Sequence, residues 1–183
     1  MQRRWNVTGG MLALIAVGVL AVAIGVAWAV SSNGPYYATP SWDQKLPAST
    51  RFVVLLDWNS EAVLDRETGL VWEQAPATVV QTWANARGAC LNSSKGGRKG
   101  WRLPSIVELL SLVDPSVASP GPALPPGHPF TDVQSTGYWS ASTDARNPPF
   151  AWLWDFHFGL GIIDKTSSVR VWCVRGPMNA EAY

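Results

Sequence analysis

The feature that most constrains this chain is at its start. Met11 to Val30 is an unbroken run of twenty apolar or small residues, and no charged side chain occurs between Arg4 and Asp43. As a helix rising about 1.5 Å per residue, such a run spans roughly 30 Å, the thickness of a bilayer core. Arg3 and Arg4 precede it and no basic residue follows closely, so the positive-inside bias keeps the N-terminus in the cytoplasm and exports everything after residue 30. Residues 1–30 therefore read as a signal anchor that keeps the protein on the membrane through residues 11–30, or as a cleaved signal peptide. The small-x-small sequence Ala27-Trp28-Ala29 suits a cleavage site.

Composition narrows what the exported part does. The 183 residues carry 14 Lys and Arg against 13 Asp and Glu, a net charge of +1, which cannot supply the phosphate-neutralising attraction of a nucleic-acid binder. An apolar content of 47% excludes an unfolded chain. With two Cys and two His, and no C-x-x-C, a structural zinc site lacks ligands, and no cofactor is expected.

Residues 31–50, rich in Ser, Pro and Thr, read as a tether, residues 51–177 as the folded domain and 178–183 as a tail. Phe52 to Leu56, Ala62 to Asp65 and Leu70 to Glu73 read as strands, the last two joined by the turn Asp65-Arg66-Glu67-Thr68-Gly69. Thr78 to Gln81 has capping-box spacing, and Val79, Trp83, Ala86 and Cys90 follow a helical stripe, which predicts a helix over 79–91. Ser105 and Glu108 repeat the cap ahead of Ile106, Leu109, Leu110 and Val113, with Pro115 beyond, a second short helix.

From Asp114 to Gly137 six Pro and three Gly interrupt any period, a loop long enough to be functional or held by its own packing. Tyr138 to Ser142, Ala151 to Phe158 and Val169 to Val174 read as strands. In Trp152 to Phe158 the even positions are all aromatic, which predicts a core face opposite one displaying Asp155 and His157. Cys90 on an apolar helix face and Cys173 on an apolar strand face, in an oxidising compartment, predict a disulfide.

Leu64-Asp65-Arg66-Glu67-Thr68-Gly69-Leu70-Val71-Trp72-Glu73, Trp83-Ala84 with Cys90, Gly100-Trp101-Arg102-Leu103-Pro104 with Glu108-Leu109, Tyr138-Trp139-Ser140-Ala141-Ser142 and the closing Val171-Trp172-Cys173-Val174-Arg175 together resemble the Lcl C-terminal-domain family, named for the C-terminal module of a bacterial collagen-like adhesin. The resemblance covers about residues 57–176. It implies an α+β fold similar to C-type lectin-like and formylglycine-generating-enzyme-like domains, with two short helices on small antiparallel sheets and a long loop region. No collagen-like Gly-x-y tract is present, so trimer-driven avidity is not implied.

Among candidate sites, a calcium lectin site lacks its carboxylate and amide cluster, Asp114 and Asp132 being the only carboxylates of the long loop. Formylglycine-generating chemistry needs reactive cysteines, which a disulfide would consume. Asp155 and His157 point the same way but have no nucleophile or oxyanion donor to work with, so no catalytic residue and no enzyme is expected. The sharpest charge feature is Lys95-Gly-Gly-Arg98-Lys99-Gly-Trp101-Arg102, in which Arg102 is a candidate partner of Glu108. Lys95, Arg98 and Lys99 are the candidate contacts for an anionic polysaccharide. Of the tryptophans, Trp72, Trp83, Trp101, Trp139, Trp152, Trp154 and Trp172 fall mostly at core positions, and Trp58 is the candidate stacking surface. The expectation is a non-enzymatic, adhesin-like binding module of the bacterial envelope, anchored in the inner membrane facing the periplasm or secreted, recognising an anionic glycan or a surface protein. A structural subunit of a surface or pilus assembly is the alternative.

Overall fold

The structure, a computed structural model, describes residues 46–176. The apolar run at 11–30, most of the tether and the tail lie outside the described residues, and among those described no helix is long and apolar enough to cross a membrane.

The described chain is α+β. A short helix α1 (Ala48–Arg51) leads into β1 (Phe52–Val54), β2 (Ala62–Asp65), β3 (Val71–Glu73) and β4 (Ala77–Gln81). Helix α2 (Trp83–Asn92) and helix α3 (Ile106–Ser111) follow, then β5 (Gly137–Thr143), β6 (Phe150–Asp155), β7 (Gly159–Asp164), β8 (Val169–Val171) and β9 (Val174–Arg175). One sheet has the order β1-β2-β3-β9 and is antiparallel throughout, and the other has the order β4-β8-β5-β6-β7. The second is antiparallel except where β5 and β8 run parallel through Tyr138 and Arg170, a departure from the wholly antiparallel sheets expected.

The centre of the first sheet is covered on both faces, which is why β3 is buried at all three positions. Val63, Trp72, Trp172 and Val174 join α3, Leu124 and Phe130 in one core, while Ala62, Val71, Ala86, Cys90, Trp101, Trp139 and Val171 form the other. Successive strand residues point to opposite faces, so Val71 and Trp72 serve different cores. Trp72, Trp101, Trp139 and Trp172 are fully buried, and Trp83, Trp152 and Trp154 are half-buried.

The Pro-rich segment is packed down by its own side chains. Leu124 and Phe130 are buried, and Phe130 meets Phe52 and Trp172 edge-on at 5.1 and 5.0 Å. Its backbone is tied to the rest of the domain by Thr131 N–H to Gln74 O and Ala123 N–H to Phe156 O.

Several boundaries differ from the sequence reading. Residues 77–81 are strand β4, with Thr78, Val79 and Val80 exposed, and α2 begins only at Trp83. The even-position aromatics do not share one core face. β6 ends at Asp155, Phe156 turns inward, and Phe158 is 83% exposed. The Cys90–Cys173 bond is present, with Cα atoms 5.5 Å apart; it ties α2 to the break between β8 and β9.

Candidate functional site

The cationic loop begins where α2 stops. After Asn92 the chain makes a 3-10 turn at Lys95–Gly97, and Gly96, Gly97 and Gly100 all take positive φ, of 61°, 65° and 89°. Glycine adopts this region at no steric cost, and at Gly96 space also demands it: a Cβ there would lie 2.6 Å from Trp58 Cβ.

Buried Trp101 and Glu73 and half-buried Glu61 hold the loop. Trp101 is fully buried, and its indole Nε1–H is shared between the Lys95 and Arg98 carbonyls at 3.3 and 3.1 Å. Glu61 Oε2 accepts the Gly96 N–H at 2.7 Å. Glu73 Oε1 accepts the Ser93 hydroxyl at 3.2 Å, and its other oxygen accepts the Cys173 N–H. Burial pushes the Glu73 carboxyl above its ordinary value, against the lowering effect of these hydrogen bonds.

Lys95, Arg98 and Lys99 are exposed on this frame. Lys99 Nζ donates to the Asn92 carbonyl at the end of α2, where a cation complements the helix dipole. Trp58, in a 3-10 turn at Leu56–Trp58, is half-buried against Gly96. The Arg98 and Arg175 guanidinium carbons lie 5.2 and 5.4 Å from its ring centroid, within cation–π range. The indole is thus engaged by two cations and is not a bare stacking surface.

Arg175 was not among the residues singled out for this site. It arrives because Arg102 and Val174 pair backbone to backbone, and its Nε–H donates to the Lys99 carbonyl at 2.8 Å. The signal in the sequence was its place at the end of the closing motif. Arg175 thus lies against the loop that carries Lys95, Arg98 and Lys99. Arg102 is set apart from them by its two-bond contact with Glu108, at 2.7 and 2.6 Å.

Asp155 and His157 do not form an acid–base pair. Asp155 Oδ1 accepts the His157 and Phe158 N–H groups, closing the β6–β7 turn, and the exposed His157 ring stacks on Phe158 at 4.1 Å. Asp114 Oδ1 is likewise used by the N–H and hydroxyl of Ser116. Among the described residues no three His, Cys, Asp or Glu side chains gather as metal ligands do.

The geometry defines an α+β domain, tied by one cystine and displaying a basic loop. The Lcl C-terminal domain family matches residues 61–175, and the chain belongs to that family. No curated protein matches the chain.

Proposed function

We propose that the protein is a non-enzymatic binding module of the bacterial envelope, exported and either tethered by residues 11–30 or secreted, with adhesin-like recognition of an anionic glycan through the basic loop. In this reading the fold is of the C-type lectin-like kind. The observation that carries it is the pair of guanidinium groups of Arg98 and Arg175 at Trp58, with Lys95 and Lys99 exposed on the same loop, which Trp101 and Glu61 hold and Glu73 ties at Ser93. Surface lysines and arginines on a mobile loop lose side-chain and backbone freedom on binding; here the backbone is already ordered by buried partners, which lowers that cost. Guanidinium groups suit sulfate and carboxylate because they present paired N–H donors. Formylglycine-generating chemistry is disfavoured because both cysteines are committed to the Cys90–Cys173 bond.

The test compares binding of the full chain to immobilised dextran sulfate and to uncharged dextran by surface plasmon resonance. The proposal expects salt-sensitive binding to the sulfated polymer alone, weakened in Arg98→Ala and Arg175→Ala. Equal binding to both polymers, or to neither, contradicts it.

A second reading, a subunit of a surface assembly, is favoured by a different observation. Phe158, Leu160 and Ile162 are 83%, 53% and 44% exposed along the β7 hairpin, and β7 is an edge strand. Such an edge is a template for strand addition. The Pro-rich loop offers no comparable surface in its large apolar side chains Leu124 and Phe130, which are buried. Concentration-dependent self-association abolished by Ile162→Lys supports this second reading; a monomer at all concentrations removes it.

A further inference from the structure

The five-stranded sheet carries a hollow of about 710 Å³ that shares no residue with the basic loop. Glycines open it. Across the sheet Gly137 of β5 pairs with Asp155 of β6, which pairs in turn with Gly159 of β7, so the carboxylate stands between two residues without side chains. In the next row on the same face Leu153 pairs with Gly161. Leu153 and Val169 supply apolar wall, and Val80 and Ile163 extend it.

The polar groups of the hollow are unspent. Asp155 commits Oδ1 to the turn that follows it, while no described residue donates to Oδ2. Ser135, Thr136 and Ser168 line the same space, and their hydroxyls make no hydrogen bond among the described residues. Arg170 also lines it and donates only to the Thr78 carbonyl, at 3.2 Å. One carboxylate and one guanidinium give a lining of no net charge, with several hydroxyls that both donate and accept. A ligand carrying a net charge would leave one of the two ionic groups unmatched; a neutral molecule rich in hydroxyls satisfies all of them and lays its C–H faces on Leu153 and Val169.

We infer that this hollow is a binding site for a neutral, hexose-sized sugar, with the Asp155 carboxylate accepting from ligand hydroxyls and Arg170, Ser135, Thr136 and Ser168 completing the hydrogen bonds. Its volume lies within the range of about 300–1,000 Å³ usual for small-ligand pockets. The inference goes beyond the anionic-glycan reading and does not depend on it.

The test is amide-shift titration of the full chain with methyl α-glucopyranoside, methyl β-galactopyranoside and methyl α-mannopyranoside, with acetate and ethylammonium as charged controls. The site requires saturable shifts at residues 135–137, 153–155 and 168–170 with at least one sugar. Affinity for that sugar falls about tenfold or more in Asp155→Asn, as loss of a charge-assisted hydrogen bond implies. Asn keeps an acceptor for the turn, so this variant retains the fold. Gly137→Val, whose new Cβ has as nearest neighbours the end of Leu153 at 3.2 Å and the Val169 and Asp155 side chains beyond 3.5 Å, crowds the hollow beside Asp155 and weakens the shifts. If Gly137→Val does not fold, Asp155→Asn alone decides. No sugar-induced shift at these residues, shifts with the charged controls only, or unchanged binding in Asp155→Asn overturns the assignment.

Discussion

Arg102 and Glu108 meet through two parallel hydrogen bonds of 2.7 and 2.6 Å, and the same Glu108 carboxylate accepts the Ser105 N–H that opens helix α3. Ser105 Oγ accepts the Glu108 N–H in return, so one buried carboxylate serves as helix cap and as counter-ion. Glu108→Ala removes both and takes the carboxylate from a guanidinium that is only 11% exposed. The expected loss is about 3–5 kcal/mol, read from denaturant midpoints, and Glu108→Gln loses less because the cap acceptor survives.

Arg51 is more deeply buried than Arg102. It is 1% exposed and donates to both oxygens of Asp65, at 2.8 and 2.7 Å, and to the Ser111 carbonyl at 2.7 Å. Asp65 also accepts from the Glu67 N–H and the Thr68 hydroxyl, which folds the Asp65–Gly69 turn around it. Asp65→Ala and Arg51→Ala each cost about 3–5 kcal/mol. A double-mutant cycle is expected to show strong coupling, with the double variant destabilised by much less than the sum.

The cystine closes a separation of 83 residues. In the chain-entropy account such a loop contributes about 4–5 kcal/mol by constraining the unfolded chain. Cys90→Ala/Cys173→Ala is expected to lower the unfolding midpoint accordingly, measured against the oxidised protein.

Buried Glu73 and half-buried His128 make opposing contributions to the pH dependence of stability. Burial raises the Glu73 carboxyl above 4.5, so as pH rises from 4.5 to its folded value the folded state retains a proton that the unfolded state has lost, and stability falls. Burial lowers the His128 imidazole below 6.5, so as pH falls from 6.5 to its folded value the unfolded state gains a proton first, and stability again falls. Melting temperatures of wild type and Glu73→Gln, measured from pH 4 upwards, are expected to diverge above pH about 4.5, the variant escaping the decline with rising pH. Parallel curves would show that Glu73 keeps an ordinary carboxyl.

Local chemistry made part of this fold legible. Ser105 and Glu108 announce α3, and the Asp65–Gly69 turn announces the β2–β3 pair, because cap and turn hydrogen bonds close within a few residues. The Thr78–Gln81 spacing misled for the opposite reason: Ala77 and Gln81 pair with β8 about ninety residues on, and that tertiary pairing overrides the helical stripe. Strand β7 went unread because its alternation runs the wrong way, with Leu160 and Ile162 exposed and glycines at 159 and 161 on the other face; among the described residues it pairs with β6 alone. At the site, Lys95, Arg98 and Lys99 were visible as a charge cluster, while Arg175 joins them only through the Arg102–Val174 bridge. The hollow at Asp155 has no signature in the sequence, since Asp155 meets Gly137 only through the pairing of β6 with β5.

The central claim, recognition of an anionic glycan through the basic loop, is tested most directly by retention of the full chain on a heparin column over a salt gradient, beside a Lys95→Ala/Arg98→Ala/Lys99→Ala variant. Retention that salt reverses and that the triple variant loses is the predicted result. Passage of the wild type without retention, or equal retention of both proteins, contradicts it.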